Sequence, residues 1–461
     1  MPDPSDILAF RFGYGLPLPA GSPAEPDAIL ARLIGPDQGM ALWPGPTEAE
    51  VQALLLRCTE ARRAARKSGR RSDERKIFTS VLREVLVQDE LFMRLALARG
   101  LDSPDGFRER LVRFWADHFT TIARTRDHKA VMSGRADHVI RPRLTGRFAD
   151  LLIAMETHPA MLLALDQSSS IGPNSPVGSK RNLGLNENLA REMIELHTLG
   201  VGAGYSQEDV RQLAELLTGL SVEPGIGTAF NPRWVEPGPE TVLGRSYDGE
   251  GLAPIRHVME DLAHRPETAL HLARKLVVHF VSDQPDADLV ARMAKTYLAN
   301  DTAMMPMLQV LLADPAVQQG PLQKARQPFD FMVSSLRALG VTGAEVLRMA
   351  RKPFLRMIRD PLMVMGQDWE NPRGPDGWPE SAESWITPQG LAARIGWAME
   401  TPGRLVKAGA MPDPQVMLAQ SLGSLADEGA GEMPLSRLVA RSESQREAVG
   451  LILAAPQFNR R

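Results

Sequence analysis

Four side chains able to carry protons or bind a metal crowd into one short stretch. In "LNENLAREMIELHTLG", residues 185–200, they are Glu187, Glu192, Glu195 and His197. Carboxylates and imidazoles in such proximity suit general acid–base catalysis or metal ligation. On a helix, Asn188, Arg191, Glu192 and Glu195 share one side, and Leu189, Ala190, Met193, Ile194 and Leu196 share the other. His197 falls in the middle of the apolar arc, and Leu199 on the polar one. Glu195 and His197 point about 160° apart, so they cannot easily chelate one ion together. No metal-binding motif matches the spacing.

An ordinary helix explains much of this pattern. Asn186 or Asn188 would cap it, Glu187 would support its start, and Gly200 would close it. Glu187–Arg191 and Arg191–Glu195 would be ion pairs at i,i+4. His197 would then be a hydrogen-bonded core histidine. A reactive reading needs partners from elsewhere, and His118 in "FWADHFTT" is the best candidate. It shares an apolar stripe with Phe107, Leu111 and Trp115. An imidazole buried there needs a partner. A carboxylate of the Glu192/Glu195 face, or a metal ion, would serve. His118 and at least one of Glu192 and Glu195 are therefore expected to approach each other.

The elements that must position these groups read at helical period. Convincing helices cover about 75–99, 147–165, 206–219, 286–299, 326–339, 387–400 and 444–454. Pro159, Pro266, Pro315 and Pro456 follow apolar helices and predict helix–helix corners. Three stretches break the pattern. Residues 166–186, which include Asn174, are rich in Ser, Gly, Asn and Pro. Residues 221–250 are β-prone, with a hairpin expected near 229–243. Residues 366–386 carry Trp369, Trp378 and Trp385 among prolines, either pinned to the helical body or lining a ligand pocket. The expectation is a mainly α fold: a single multi-helix domain over 1–461 with a small β-hairpin insert.

Composition narrows the function. The formal charge is −3 over 461 residues, which argues against a bulk nucleic-acid or membrane-surface binder. The basic run at 61–76 has no interleaved aromatic residue for base stacking and reads as a solvated helix end and linker. No apolar run reaches the length of a transmembrane helix. The N-terminus lacks a basic segment followed by an apolar one, so the chain as written reads as cytoplasmic. The lone cysteine, Cys58, cannot make an internal disulfide and reads as a buried small hydrophobe.

The segment "GPNSPVGSKRNLGLNENLAREMIELHTLGVGAGYSQEDVRQLAELLTGLSV" closely resembles the hallmark of the bacterial "domain of unknown function 1800" family. "RFGYGL", "FWADHFTT", "EPGPETVLG", "LARKLVVHFVSD", "QPFDFMVSSLRALG" and "GPDGWPESAESWITPQGLAARI" follow in family order. Glu187, Asn188, Arg191, Glu192 and His197 match the family motif residue by residue. The chain departs from it in two places. Ala116 stands where relatives have a histidine in Trp-His-Asn-His-Phe. Val235 stands where they commonly have His before Glu-Pro-Gly-Pro-Lys, and Glu240 replaces that Lys. The resemblance implies no assigned reaction. It implies a bacterial protein whose relatives often look exported and are often encoded beside a sulfatase-like protein.

Two classes of function stay open. One is a hydrolase-type enzyme, in one version metal-assisted. Glu192 or Glu195 would be base or ligand, His118 and His197 ligands or proton carriers, and Glu187, Asn188, Arg191, Asn174 and Trp378 binding groups. The other is a non-catalytic helical scaffold, or a chaperone-like partner of the neighbouring sulfatase-like gene product. The sequence names neither a cofactor nor a substrate.

Overall fold

The computed structural model describes every residue except 1, 70, 182–183, 320, 407–409 and 429–432. Helix accounts for 63 % of the chain, against about one third in an average globular protein. The β structure among the described residues is two small antiparallel pairs. The architecture is therefore mainly α.

The periodic segments form helices close to their expected limits. Ser72 caps the longest, Asp73–Asp102, and a Thr47/Glu50 capping box opens Glu48–Lys67. Pro159, Pro266 and Pro315 each stand first in a new helix, where a missing N–H costs nothing. Pro456 starts no helix; the chain simply turns after Ala454. The basic stretch at 61–76 ends one helix and begins the next, with Arg63, Arg66 and Lys67 exposed. Arg62 instead reaches the buried Asp127 at 2.8 Å. Arg70 lies outside the described residues.

Two apolar cores are built on these helices. One gathers Gly106–His118, Phe148–Glu156, Gln207–Leu216, Ala253–Ala263 and Pro266–Phe280. The other gathers Glu48–Lys67, Asp73–Asp102, Pro328–Ala338, Pro388–Glu400 and Gln445–Ala454. The helix Pro4–Phe12 feeds both, with Leu8 and Phe12 in the first and Ile7 and Phe10 in the second. Cys58 is buried, and burial pushes its thiol up to about 11.

The β-prone insert differs from expectation in its pairing. Leu220–Glu223 pairs with Gly227–Phe230, and Glu240–Val242 pairs with Arg245–Tyr247. Two tight hairpins replace the single one expected near 229–243. The 166–186 segment is largely irregular but holds a short helix, Gly178–Arg181; residues 182–183 of it lie outside the described set. The 366–386 loop is pinned down. Glu370 accepts from Arg113 at 2.7 Å and Arg135 at 2.6 Å, and the Trp369 indole donates to Ser133 Oγ at 3.2 Å.

Candidate functional site

A sealed inner layer comes first. Ala149, Leu152 and Glu156 lie on one line of the helix Phe148–Glu156, and all three are fully buried. That line carries the Glu156 carboxylate into the core, where Oε1 stands 2.6 Å from His197 Nδ1. His197 arrives from the opposite side. The helix Asn188–Glu192 widens into a π-helical turn over Met193–His197, held by Thr198 Oγ1 donating to the Met193 carbonyl at 2.7 Å. Such turns redirect side chains and recur at functional sites. His118, at the end of the helix Gly106–His118, donates from Nε2 to the His197 carbonyl at 3.2 Å.

Carbonyl partners fix the tautomers of two rings, since a carbonyl can only accept. His118 Nε2 carries the proton, which leaves Nδ1 as a buried lone pair with no hydrogen-bond partner among the described residues. His271, on the helix Pro266–Phe280, donates from Nε2 to the Leu196 carbonyl at 3.1 Å. The His118 ring centroid lies 5.9 Å from that of His197 and 6.3 Å from that of His271. At His197, neither ring nitrogen has an aligned hydrogen bond among the described residues, although Nδ1 touches Glu156.

An outer, half-buried layer covers this one: Asp117, Glu192, His271 and Lys275. Burial lowers His118 well below the ordinary histidine range and His271 to about 4, and nearby Lys275 pushes both the same way. Burial also lowers Lys275, against the pull of Asp117, Glu380 and Asp376. The Asp117 carboxyl is raised to about 7, mainly by burial. Glu192 is raised by burial, with Glu195 and Asp376 adding to the shift. The 366–386 loop closes the layer from above. The backbone N–H of Trp378 donates to Asp117 Oδ1 at 2.9 Å. Gly377, at φ +82°, makes that approach possible, because a Cβ there would sit 2.7 Å from the same oxygen.

The residues picked from the sequence fall into three places. His118 and His197 meet, through a ring nitrogen and a carbonyl. Glu192 lies within electrostatic reach of His197. Neither Glu192 nor Glu195 makes a hydrogen bond or ion pair to His118; that ring's N–H goes to the His197 backbone. Glu187, Arg191 and Glu195 form the helix-face ion pairs at 3.1 and 3.4 Å, and Asn186 caps the turn by accepting from the Asn188 N–H at 2.9 Å. Leu199 turns inward despite its place on the polar arc, because the π turn shifts the register. Asn174 lies apart, in the 166–186 segment and against the insert, with its backbone N–H donating to Glu236 at 2.9 Å. Trp378 is half-buried, its ring 6.1 Å from Trp385. Ala116 is buried, and its carbonyl accepts from Arg135 at 2.6 Å. Glu156, His271, Lys275, Asp117 and Asp376 did not stand out in the sequence. For Glu156 a signal existed: an acid continuing an apolar seven-residue line.

Comparison with known families decides the lineage. The chain belongs to the DUF1800 family. The family model, described as "Protein of unknown function (DUF1800)", matches residues 8–460. No curated protein and no solved structure matches it. In this DUF1800 protein no helix among the described residues is long and apolar enough to cross a membrane. The single group of three ligand atoms close enough to share an ion, among the described residues, is Glu260, His264 and Asp301. It lies outside the histidine layers, and Arg147 already pairs with both of its carboxylates.

Proposed function

We propose that this protein is a hydrolase-type enzyme working by proton transfer, with its reacting layer at Asp117, Glu192, His271 and Lys275 beneath the 366–386 loop. One observation carries the reading: groups from three separate elements converge there with opposed tuning. Asp117 holds its proton up to about pH 7, while His271 and Lys275 are pushed to release theirs. Opposed shifts in one seam are how a fold offers an acid and a base at the same pH. Glu192, whose raised carboxyl makes its anion the stronger base, takes a proton from the attacking water, and the protonated Asp117 returns one to the leaving group. His197, set by Glu156, and His118 position the layer from below. The reading rests on no metal; a metal-assisted version would draw on the lone pairs of His118 and His197.

Complete enclosure of Glu156, His118 and His197 favours a second reading. In it the cluster is a buried network that fixes a corner of a non-catalytic scaffold, or of a chaperone-like partner for a sulfatase-like protein encoded nearby. One experiment separates the two. Purified protein is assayed against nitrophenyl acetate, nitrophenyl phosphate and a set of nitrophenyl glycosides, beside its Glu192→Gln variant. The enzyme reading expects turnover of at least one, falling by about 10²–10⁴-fold in the variant with an unchanged unfolding midpoint. Absence of turnover, together with a destabilised variant, supports the scaffold.

A further inference from the structure

The two hairpins and the helices Gln207–Leu216 and Ala253–Ala263 enclose a cavity of about 640 Å³, remote in role from the histidine layers. Its wall is apolar on one side, from Leu216, Phe230, Val235 and Ile255. Among the described residues its charged lining is wholly acidic: Glu236, Glu240, Asp248 and Glu250, with no Lys, Arg or His. Glu236 is committed, because Asn174 donates to it from both its backbone and its side-chain amide.

Glu240 is different. It is 7 % exposed and lines the cavity, yet among the described residues its carboxylate meets only its own backbone N–H and no cation pairs with it. A carboxylate partly withdrawn from water gains by taking a cationic partner. Glu215, Glu236 and Asp248 all push it further from ionisation, and burial with these neighbours raises it to about 7. The volume argues about the kind of cation. A pocket of this size holds a small organic molecule. The carboxylates also do not gather closely enough to count as a shared-ion site.

We propose that this cavity binds a small organic ammonium ion: a protonated aliphatic amine whose nitrogen meets the Glu240 carboxylate while its carbon chain lies against Leu216, Phe230, Val235 and Ile255. The ammonium brings three charged donors to a carboxylate that otherwise has only its own backbone N–H. The apolar wall takes the stem, which a hydrated metal ion could not use. Asp248 and Glu250, exposed at the rim, attract the cation and are not required for its seating.

The test is calorimetric titration of the whole chain at pH 8 with hexylammonium chloride, and with 1-hexanol and magnesium chloride as controls. The expected result is saturable binding of hexylammonium, with hexanol and magnesium silent. Glu240→Gln should weaken it at least ten-fold with an unchanged circular dichroism spectrum. Val235→Lys, which puts an ammonium into the cavity from its own wall, should weaken it likewise, and decides the matter if the Gln variant fails to fold. Absence of saturable heat, hexanol binding as tightly as hexylammonium, magnesium competing for the same site, or undiminished binding in a folded variant would each overturn the proposal.

Discussion

His197 and Glu156 face each other across 2.6 Å in a space closed to solvent, from two helices whose connection runs through the irregular 166–186 segment. Neither group tolerates losing the other. Removing one partner of a buried pair leaves the survivor with its full desolvation cost. Glu156→Ala should therefore lower unfolding stability by about 3–5 kcal/mol. Glu156→Gln keeps the shape and an acceptor and should cost about 1–3 kcal/mol. Urea denaturation reads both. Midpoints within error of the parent for the two variants would mean that the contact does not hold the corner.

Gly200 tests the fit of the next layer. It sits at φ +95°, and a Cβ there would stand 2.9 Å from His271 Nδ1. Alanine would combine a disfavoured backbone with a clash against a ring tethered to the Leu196 carbonyl. Gly200→Ala should cost about 1–3 kcal/mol from the backbone alone, and the displaced His271 should lower any hydrolytic rate as well. An alanine variant as stable as the parent would show that the turn has room this structure denies it.

Asp117 gives a pH dependence with a definite sign. Its carboxyl is raised from the ordinary aspartate range to about 7. Between about pH 4 and pH 7 the folded chain thus holds this proton and the unfolded chain does not. The stability Asp117 contributes is present below that window and is lost as pH rises through it. His118 and His271, both lowered by burial, act oppositely and add stability as pH rises toward 6.5. The clean measurement is the difference between the parent and Asp117→Asn, which keeps an acceptor for the Trp378 N–H. The variant's melting temperature should gain on the parent's between pH 5 and pH 8. A constant difference would show that Asp117 is ionised throughout.

How far the sequence could be read follows from what each feature depends on. The helices were legible because apolar residues recur at 3.6 and because Thr47, Ser72, Ser206 and the corner prolines mark their starts. The hairpins were only half legible. Their second turn runs through Leu243 at φ +51° and Gly244 at φ +79°, a geometry that ordinarily announces itself with Asn or Asp rather than Leu. Within the site, the crowding around 185–200 and the stripe bearing His118 were visible, because both depend on local spacing. The partners were not. His118 needed an acceptor, and the nearest legible ones were carboxylates, but a backbone carbonyl serves equally well and leaves no trace in sequence. Lys275 and Asp376 acquire their surroundings only when the 366–386 loop folds back over the helix Gly106–His118.

That loop supplies the last prediction. Trp369 and Trp385 are buried, with indole N–H groups given to Ser133 and, at 2.8 Å, to the Pro379 carbonyl. Both act as pins. Trp378 lies between them in sequence but is only half-buried, anchored by its backbone to Asp117 and by its ring against Trp385. A fully buried tryptophan would cost about 3–5 kcal/mol on truncation. Trp378→Ala should cost less, about 1–2 kcal/mol, whereas Trp385→Ala should show the full loss. If Trp378 also forms the lid over the reacting layer, its removal should raise KM for whichever nitrophenyl substrate is turned over and leave kcat within a few-fold. A loss of stability as large as that of Trp385→Ala, with KM unchanged, would make Trp378 a third pin and remove the loop from the substrate's path.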